Sequence, residues 1–413
     1  MIQKPRGTED LFNEKVREFF ALELIIRNLV DLYSYQEIRT PIFESLELFK
    51  RSVGEQTDIV SKEMYVFNDK KNRELALKPE GTAPTVRSII QNKLYINENL
   101  PLKLFYFGSM FRYERPQSGR QRQFNQFGVE VFGKKTPELD AEILCLAVSI
   151  LRTVGIEEFQ VNLNYLITGE KRETYIAYLK ETLSGLDLCQ DCQKRIELNP
   201  LRVLDCKIDA TKFKDLKDMK EYLSDDEKEY YQQLKNNLNN LGITYQENGM
   251  LVRGLDYYTG FVFEVIDDTG STLIGGGRYD NLVQELGNVE LQAAGFGMGI
   301  ERIINKLETL GISLAEEQSV DCYIIALCEK AKQFSSILLL MMRSAGIKSE
   351  FNYQERNLKS AFKFSEKLKA KNIIIIGENE LKNNVVVIKN QITKKEITLP
   401  FDKIIETIRE KWK

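Results

Sequence analysis

Not one histidine occurs in the 413 residues of this chain. No side chain can therefore act as an imidazole base, and any metal site would have to do without the commonest nitrogen ligand. Long apolar runs are missing too. Runs such as Ile337 to Met342 are far too short to span a bilayer, so no membrane association is expected. In the first thirty residues, Glu23 and Arg27 interrupt the apolar pairs Phe19-Phe20 and Ile25-Ile26, which reads as an amphipathic helix and not a signal peptide. Neither G-x-G-x-x-G nor G-x-x-x-x-G-K-[ST] occurs, so a dinucleotide fold or a P-loop is unsupported. There is no internal repeat or low-complexity tract. The six cysteines, with no secretory signal, read as reduced thiols in a cytoplasmic protein.

What is present is ordinary in bulk: 43% hydrophobic and 29% charged residues, enough for two or three domains. Charge is uneven, however. From Asp321 onward there are 18 Lys and Arg against 11 Asp and Glu, leaving 40 against 50 for the rest. A basic C-terminal module on an acidic body suggests an anionic partner such as nucleic acid, although Lys abundance alone accounts for it equally well.

Residues 11–34 read as a long helix with apolar positions Leu11, Val16, Phe19, Phe20, Leu24 and Ile25, followed by a short boundary strand from Tyr35 to Pro41. Leu102–Glu114 and Phe124–Gly133 predict a long antiparallel hairpin joined by a polar loop. Residues 166–245, rich in Lys, Asp, Glu and Gln at helical spacing, read as a helical insertion. Strand patterns resume from Leu251 to Leu273, and Ile300–Leu310 reads as a helix. After a linker at Ala315–Ser319, strands and helices alternate, which predicts a small α/β domain with a mainly parallel sheet. The expected domains are 1–165 and 246–315 (one core in two parts), 166–245 and 320–413.

Five segments carry chemistry. In the hairpin, strand alternation puts Gln126, Gly128 and Glu130 on one face and Phe127, Val129 and Val131 on the core face. Arg112 and Glu114 share a face of the partner strand. Arg112, Arg115, Arg120 and Arg122 suit a polyphosphate, because guanidinium forks match phosphate oxygens. Leu77-Lys-Pro-Glu-Gly-Thr82 precedes a helix, with Thr82 the expected N-cap. Gly295-Phe-Gly-Met-Gly-Ile-Glu-Arg302 runs from a glycine-rich strand into a helix. Arg253-Gly-Leu-Asp-Tyr-Tyr-Thr-Gly260 and Gly275-Gly-Gly-Arg-Tyr-Asp-Asn-Leu282 cluster polar and aromatic groups beside an apolar strand, as a ligand site or a structural network does. Cys189-Gln-Asp-Cys192 and Cys206 supply three thiols, but structural zinc takes four Cys or His ligands. No zinc is expected and no metal ligands are assigned.

The first helix, the boundary strand and Pro41 resemble the first motif of class II aminoacyl-tRNA synthetases, which builds their dimer interface; the hairpin resembles the second motif and Gly295–Arg302 the third. Leu77–Thr82 resembles the loop that grips the substrate amino group, and Arg253–Gly260 with Gly275–Leu282 resemble the pair that marks histidyl-tRNA synthetases. The resemblance covers nearly the whole chain. It implies an α+β catalytic domain built on an antiparallel sheet of the class II synthetase type, with a helical insertion and a C-terminal α/β anticodon-binding domain. It implies a cytoplasmic homodimer that activates L-histidine with ATP and Mg²⁺ and passes it to the 3′ end of histidine tRNA. Arg112, Arg253 and Arg302 would then be catalytic. ATP would meet Arg112, Glu114, Arg120, Phe124 and Arg302. Histidine would meet Glu80, Gly81, Thr82, Gln126, Glu130, Tyr257, Tyr258 and Tyr279. Arg115 and Gln117 would approach the tRNA acceptor stem, and the basic tail the anticodon. Such sites reject apolar analogues by hydrogen bonding, so no editing domain is implied. Tyr113 and Asn125 stand where family members often carry histidine, and Lys78 where arginine is commoner. Two other readings remain open: a non-catalytic paralogue that regulates histidine biosynthesis, and an RNA-binding module without ATP turnover.

Overall fold

A computed structural model describes the chain except for residues 55–56, 98–99, 118, 355–356 and 412–413. It divides into two compact units, Met1–Ala315 and Glu316–Lys413. In the first unit an eight-stranded sheet forms the frame. Six strands pair antiparallel in the spatial order Leu102–Phe111, Gln123–Gly133, Gln292–Gly299, Thr272–Arg278, Thr259–Asp267, Phe159–Leu166. Two-residue strands, Gln36–Glu37 and Gln246–Glu247, close the edges in parallel. The boundary strand is thus shorter than Tyr35–Pro41.

The hairpin alternates as its sequence dictates: Phe127, Val129 and Val131 are buried. They join a core with the helices Asn13–Leu32 and Pro137–Thr153. Thr136 accepts a hydrogen bond from Leu139 N and Pro137 occupies the first turn, so the second helix starts where propensity puts it. The first helix buries Phe19, Leu22, Ile26 and Val30, one flank at helical spacing. Val16, Phe20 and Leu24, counted among its apolar positions, are exposed.

Residues 166–245 hold the helices Gly169–Ser184, Gln190–Leu198 and Asp225–Asn240 with short 3-10 turns between them. Ser224 and Glu227 form a capping box at the last helix. Tyr175, Leu179, Leu234 and Leu238 belong to the same core as the sheet.

One buried ionic cluster ties these parts together. Arg278, 1% exposed, lies 2.5 Å from Asp140 and 2.9 Å from Asp280. Tyr230 donates to Asp140 at 2.8 Å. Burial pushes the Asp140 carboxyl up while Arg278 opposes it. The cluster joins the sheet, the helix Pro137–Thr153 and the helix Asp225–Asn240, and it fixes the backbone beside Tyr279.

The second unit holds a five-stranded sheet in the order Ser349–Phe351, Cys322–Ala326, Asn372–Ile376, Val385–Asn390, Glu396–Pro400. Only the first two pairings are parallel; the other two are antiparallel, so the sheet is mixed and not mainly parallel. The cause is local. Residues 377–384 are fewer than the dozen or so that a parallel crossover needs. They form the short helix Glu378–Asn383 and turn back through Asn384 at φ 54°.

Candidate active site

The sheet's open face carries a row without side chains. Gly128, Gly297 and Gly275 lie opposite one another on three adjacent strands, between Tyr106 at one end and Glu264 at the other. The absent side chains leave a floor that neighbouring groups cross. A Cβ at Gly128 would overlap the Tyr106 hydroxyl, and one at Gly275 would overlap the Arg253 guanidinium. Glycine is needed here for close approach rather than for backbone freedom.

Above this floor lies a cavity lined by Arg112, Glu114, Arg120, Phe124, Gln126 and Arg302 on one side. Glu80, Thr82, Arg253, Tyr257 and Tyr258 line the other. Strand pairing ends at Phe111 opposite Gln123. Arg112 and Glu114 therefore reach the cavity from the loop, not by strand alternation. Arg112 N donates to Arg122 O to close the loop, and Arg112 Nε donates to Pro79 O at 2.8 Å. Residue 118 of that loop lies outside the described residues. The Arg112 guanidinium sits over the Phe124 ring, 5.3 Å from its centroid.

Arg302 enters from the first turn of the helix Ile300–Leu310 and donates to Thr272 O at 2.5 Å. Burial, with Arg120 and Arg112 beside it, pulls its pKa below the usual arginine range. Three like charges converging on a partly desolvated cavity favour an anion of several charges. Arg253 stands across the floor. Its Nη1 donates to Glu264 at 2.9 Å, while its buried Nε has no partner among the described residues. A buried donor left open is costly in a folded protein, and a ligand can satisfy it.

At the other end is a buried polar knot. Glu130, 1% exposed, accepts from Thr82 Oγ1 at 2.7 Å and, through its other oxygen, from the Tyr279 hydroxyl. Tyr257 packs against both Tyr258 and Tyr279, with ring centroids 4.7 and 5.6 Å apart. Glu130 and Tyr279 thus stand one layer behind the lining residues. Burial pushes Glu130 up to about 8, against hydrogen bonds from Tyr279 and Thr82 and helped by the charge of Glu80. A carboxyl that titrates near neutrality can either donate to or accept from a polar ring.

Thr82 is not the helix cap. Glu80 accepts from Thr82 N at 2.6 Å and Ala83 N at 2.9 Å, so its carboxylate caps the helix Thr82–Asn92. This frees the Thr82 hydroxyl for Glu130. Gly81 precedes the helix under the Tyr106 ring. Arg115 and Gln117 are exposed and lie outside the cavity lining.

Three residues of the site carry no sequence-level assignment. Tyr106 lies 3.4 Å from Gln126 Oε1 and fills the end of the glycine row. Glu264 holds Arg253. Glu301 accepts from Asn125 N and Nδ2 at 2.8 to 3.0 Å and fixes the loop end of the hairpin. Glu264 was the detectable one: it is the sole charge in the run Phe261–Val265.

Glu130 also sets a pH dependence. The folded chain keeps a proton that the unfolded chain loses above the ordinary value of 4.5. This component of stability therefore declines as pH rises from 4.5 to about 8. Melting curves across that window should show Glu130→Gln gaining on the parent protein as pH rises. A pH-independent difference would contradict the assignment.

The family model described as Histidyl-tRNA synthetase matches residues 7–167 and 198–303, and that described as Anticodon binding domain matches 321–411. The Histidine--tRNA ligase of Mycoplasma mycoides subsp. mycoides is 48% identical over 99% of this chain and 100% of its own length. That of Bacillus subtilis is 43% identical over 98% of each. The crystal structure of apo S. aureus histidyl-tRNA synthetase aligns with a TM-score of 0.86 at 37% identity, covering 99% of this chain and 100% of that one.

Proposed function

The chain belongs to the histidyl-tRNA synthetase family and aminoacylates histidine tRNA, and we propose how its own residues do so. The observation that carries the proposal is the convergence of Arg112, Arg120, Arg253 and Arg302 on one cavity backed by the buried Glu130–Tyr279 pair. ATP lies along the arginine side, its adenine against Phe124. Glu114 and Glu301, both lining the cavity, offer hard oxygen ligands for the Mg²⁺ that accompanies ATP. The histidine ring enters over Tyr257 and Tyr258, and Glu130 and Tyr279 frame it from the layer behind. Glu80, Gly81, Thr82 and Gln126 line the approach of its amino group.

In the first step a carboxylate oxygen of histidine attacks the α-phosphorus in line, the bond to the β-phosphate oxygen breaks, and pyrophosphate leaves. No proton moves. Catalysis is then positioning and charge stabilisation, with Arg112 and Arg253 gripping the α-phosphate from opposite sides and Arg302 the γ-phosphate. In the second step a ribose hydroxyl of tRNA attacks the adenylate carbonyl and AMP departs. The hydroxyl proton goes to substrate phosphate, water or a carboxylate, because the chain has no histidine to take it.

Arg115 and Gln117, exposed at the loop tip, reach for the acceptor stem, and the basic unit from Asp321 onward engages the anticodon. Reduced cysteines suit a cytoplasmic enzyme, and the described cysteines are all free. Side-by-side assays of pyrophosphate exchange and tRNA charging test these roles. Arg253→Ala should fold normally and lose about 10²- to 10⁴-fold in L-histidine-dependent exchange. Arg115→Ala should keep exchange and slow charging. Near-normal exchange by Arg253→Ala would remove its role, and no exchange by the parent protein would favour the non-catalytic paralogue.

The chain also acts as a homodimer. Val16, Phe20 and Leu24, spaced by four along the first helix, and Phe12 at its N-cap are exposed, and such a stripe marks an interaction face. Phe20→Glu should convert the dimer to monomer in sedimentation experiments; an unchanged dimer would place the interface elsewhere.

A further inference from the structure

Outside the catalytic cavity, the described residues bring one set of metal-binding side chains together. The sulfurs of Cys189, Cys192 and Cys206 and a carboxylate oxygen of Asp209 all lie within 4.8 Å of one another. Cys189 Sγ is 3.8 Å from Cys206 Sγ, and Cys206 Sγ is 3.8 Å from Asp209 Oδ2. A disulfide would need about 2.05 Å between sulfurs. Tetrahedral zinc with bonds of about 2.3 Å sets its sulfurs about 3.8 Å apart. Cysteine and histidine alone supply three ligands here, and the fold brings a carboxylate as the fourth.

We propose that Cys189, Cys192, Cys206 and Asp209 form a structural zinc site. The spacing repeats: Cys189-x-x-Cys192, then Cys206-x-x-Asp209. Cys189 caps the helix Gln190–Leu198 and Cys192 sits in its first turn. Cys206 ends the 3-10 turn Pro200–Asp205, and Asp209 precedes the 3-10 turn Ala210–Phe213. Two tight turns thus present two ligands each, as zinc knuckles do.

The surroundings orient the oxygen. Cys189 N donates to Asp209 Oδ2 at 2.9 Å, and Lys212 Nζ lies 3.0 Å from Oδ1. Such outer partners fix a ligating carboxylate, and the lysine offsets part of the negative charge that three thiolates and a carboxylate leave on Zn²⁺. Three sulfurs select zinc over magnesium or calcium, and four protein ligands leave no open position for catalysis. Packing of small apolar thiols accounts for Cys192. It does not account for a carboxylate only 1% exposed set against three sulfurs.

The site clamps a strap that reaches the catalytic segment. Between its two halves, Asn199 donates to Asp256 at 2.8 Å, and Arg195 and Arg202 lie 3.4 and 3.7 Å from Asp58. Asp256 belongs to the Arg253–Gly260 segment, so the metal would brace the residues behind Arg253 from outside the cavity.

Zinc content of the full-length protein tests the proposal. Reduced, loaded with Zn²⁺ and desalted, it should hold about one zinc per chain by plasma mass spectrometry. Cobalt in its place should give the charge-transfer and d–d bands of tetrahedral thiolate ligation. Asp209→Cys should keep the metal, Asp209→Ala should bind it about ten-fold more weakly or worse, and the Cys192→Ser/Cys206→Ser pair should lose it. Folded parent protein with less than roughly a fifth of a zinc per chain, zinc retained by the double variant, iron in place of zinc, or a resting Cys189–Cys206 disulfide would each overturn it. The cobalt spectrum and zinc content of the parent protein decide the matter even if every variant misfolds.

Discussion

The site exists because three adjacent strands give up their side chains at one level. Gly128, Gly297 and Gly275 form a bare strip across the middle of the sheet, where most sheets would place branched residues. The long side chains at its margins then lie down over the strip instead of standing up from it: Tyr106 across Gly128, Gln126 beside Gly297, Arg253 across Gly275. Antiparallel pairing on both sides locks the register, so a slip of one residue would fill the floor and bury the wrong face. The core packing on the opposite face, Phe127, Val129 and Phe296 among it, holds the strip flat under the cavity.

Charge is then divided between the two ends. Arginines crowd one end without enough carboxylates to neutralise them, which leaves Arg302 depressed, while Arg253 across the floor keeps an open donor. At the other end a carboxyl is buried so deeply that it titrates near neutrality. In the proposed reading, polyphosphate relieves the first tension and a ring with two polar nitrogens relieves the second. Each end is costly alone, and the ligand that satisfies both must carry or sit beside both chemistries. An amino acid with an imidazole side chain, held against ATP, meets that description.

Much of this was legible in the sequence, and for physical reasons. Strand alternation assigned Gln126 and Glu130 to the open face because period two leaves no choice once Phe127 and Val129 are core. Arg302 was legible from a glycine strand running into a helix. Roles that depend on contacts across the chain were not. The helix cap looked like Thr82 because hydroxyls are the usual caps, yet the carboxylate of Glu80 reaches the same amides. Tyr106 sits in an apolar strand and reads as core until its partner is known to be Gly128. Strand direction in the second unit was hidden, since parallel and antiparallel strands of one buried sheet share a pattern. Asp209 was invisible as a ligand because nothing in a run of charged residues distinguishes one aspartate from the next.

The central claim is that the bare strip sets the position of Arg253, and that its position, not just its charge, drives adenylate formation. Single-turnover formation of the adenylate by Gly275→Ala tests this most directly. The added methyl leaves Arg253 in the chain but takes the space its guanidinium occupies. The account predicts a fall of about 10²-fold or more with a melting temperature close to that of the parent protein. A normal rate in a folded Gly275→Ala enzyme would contradict it.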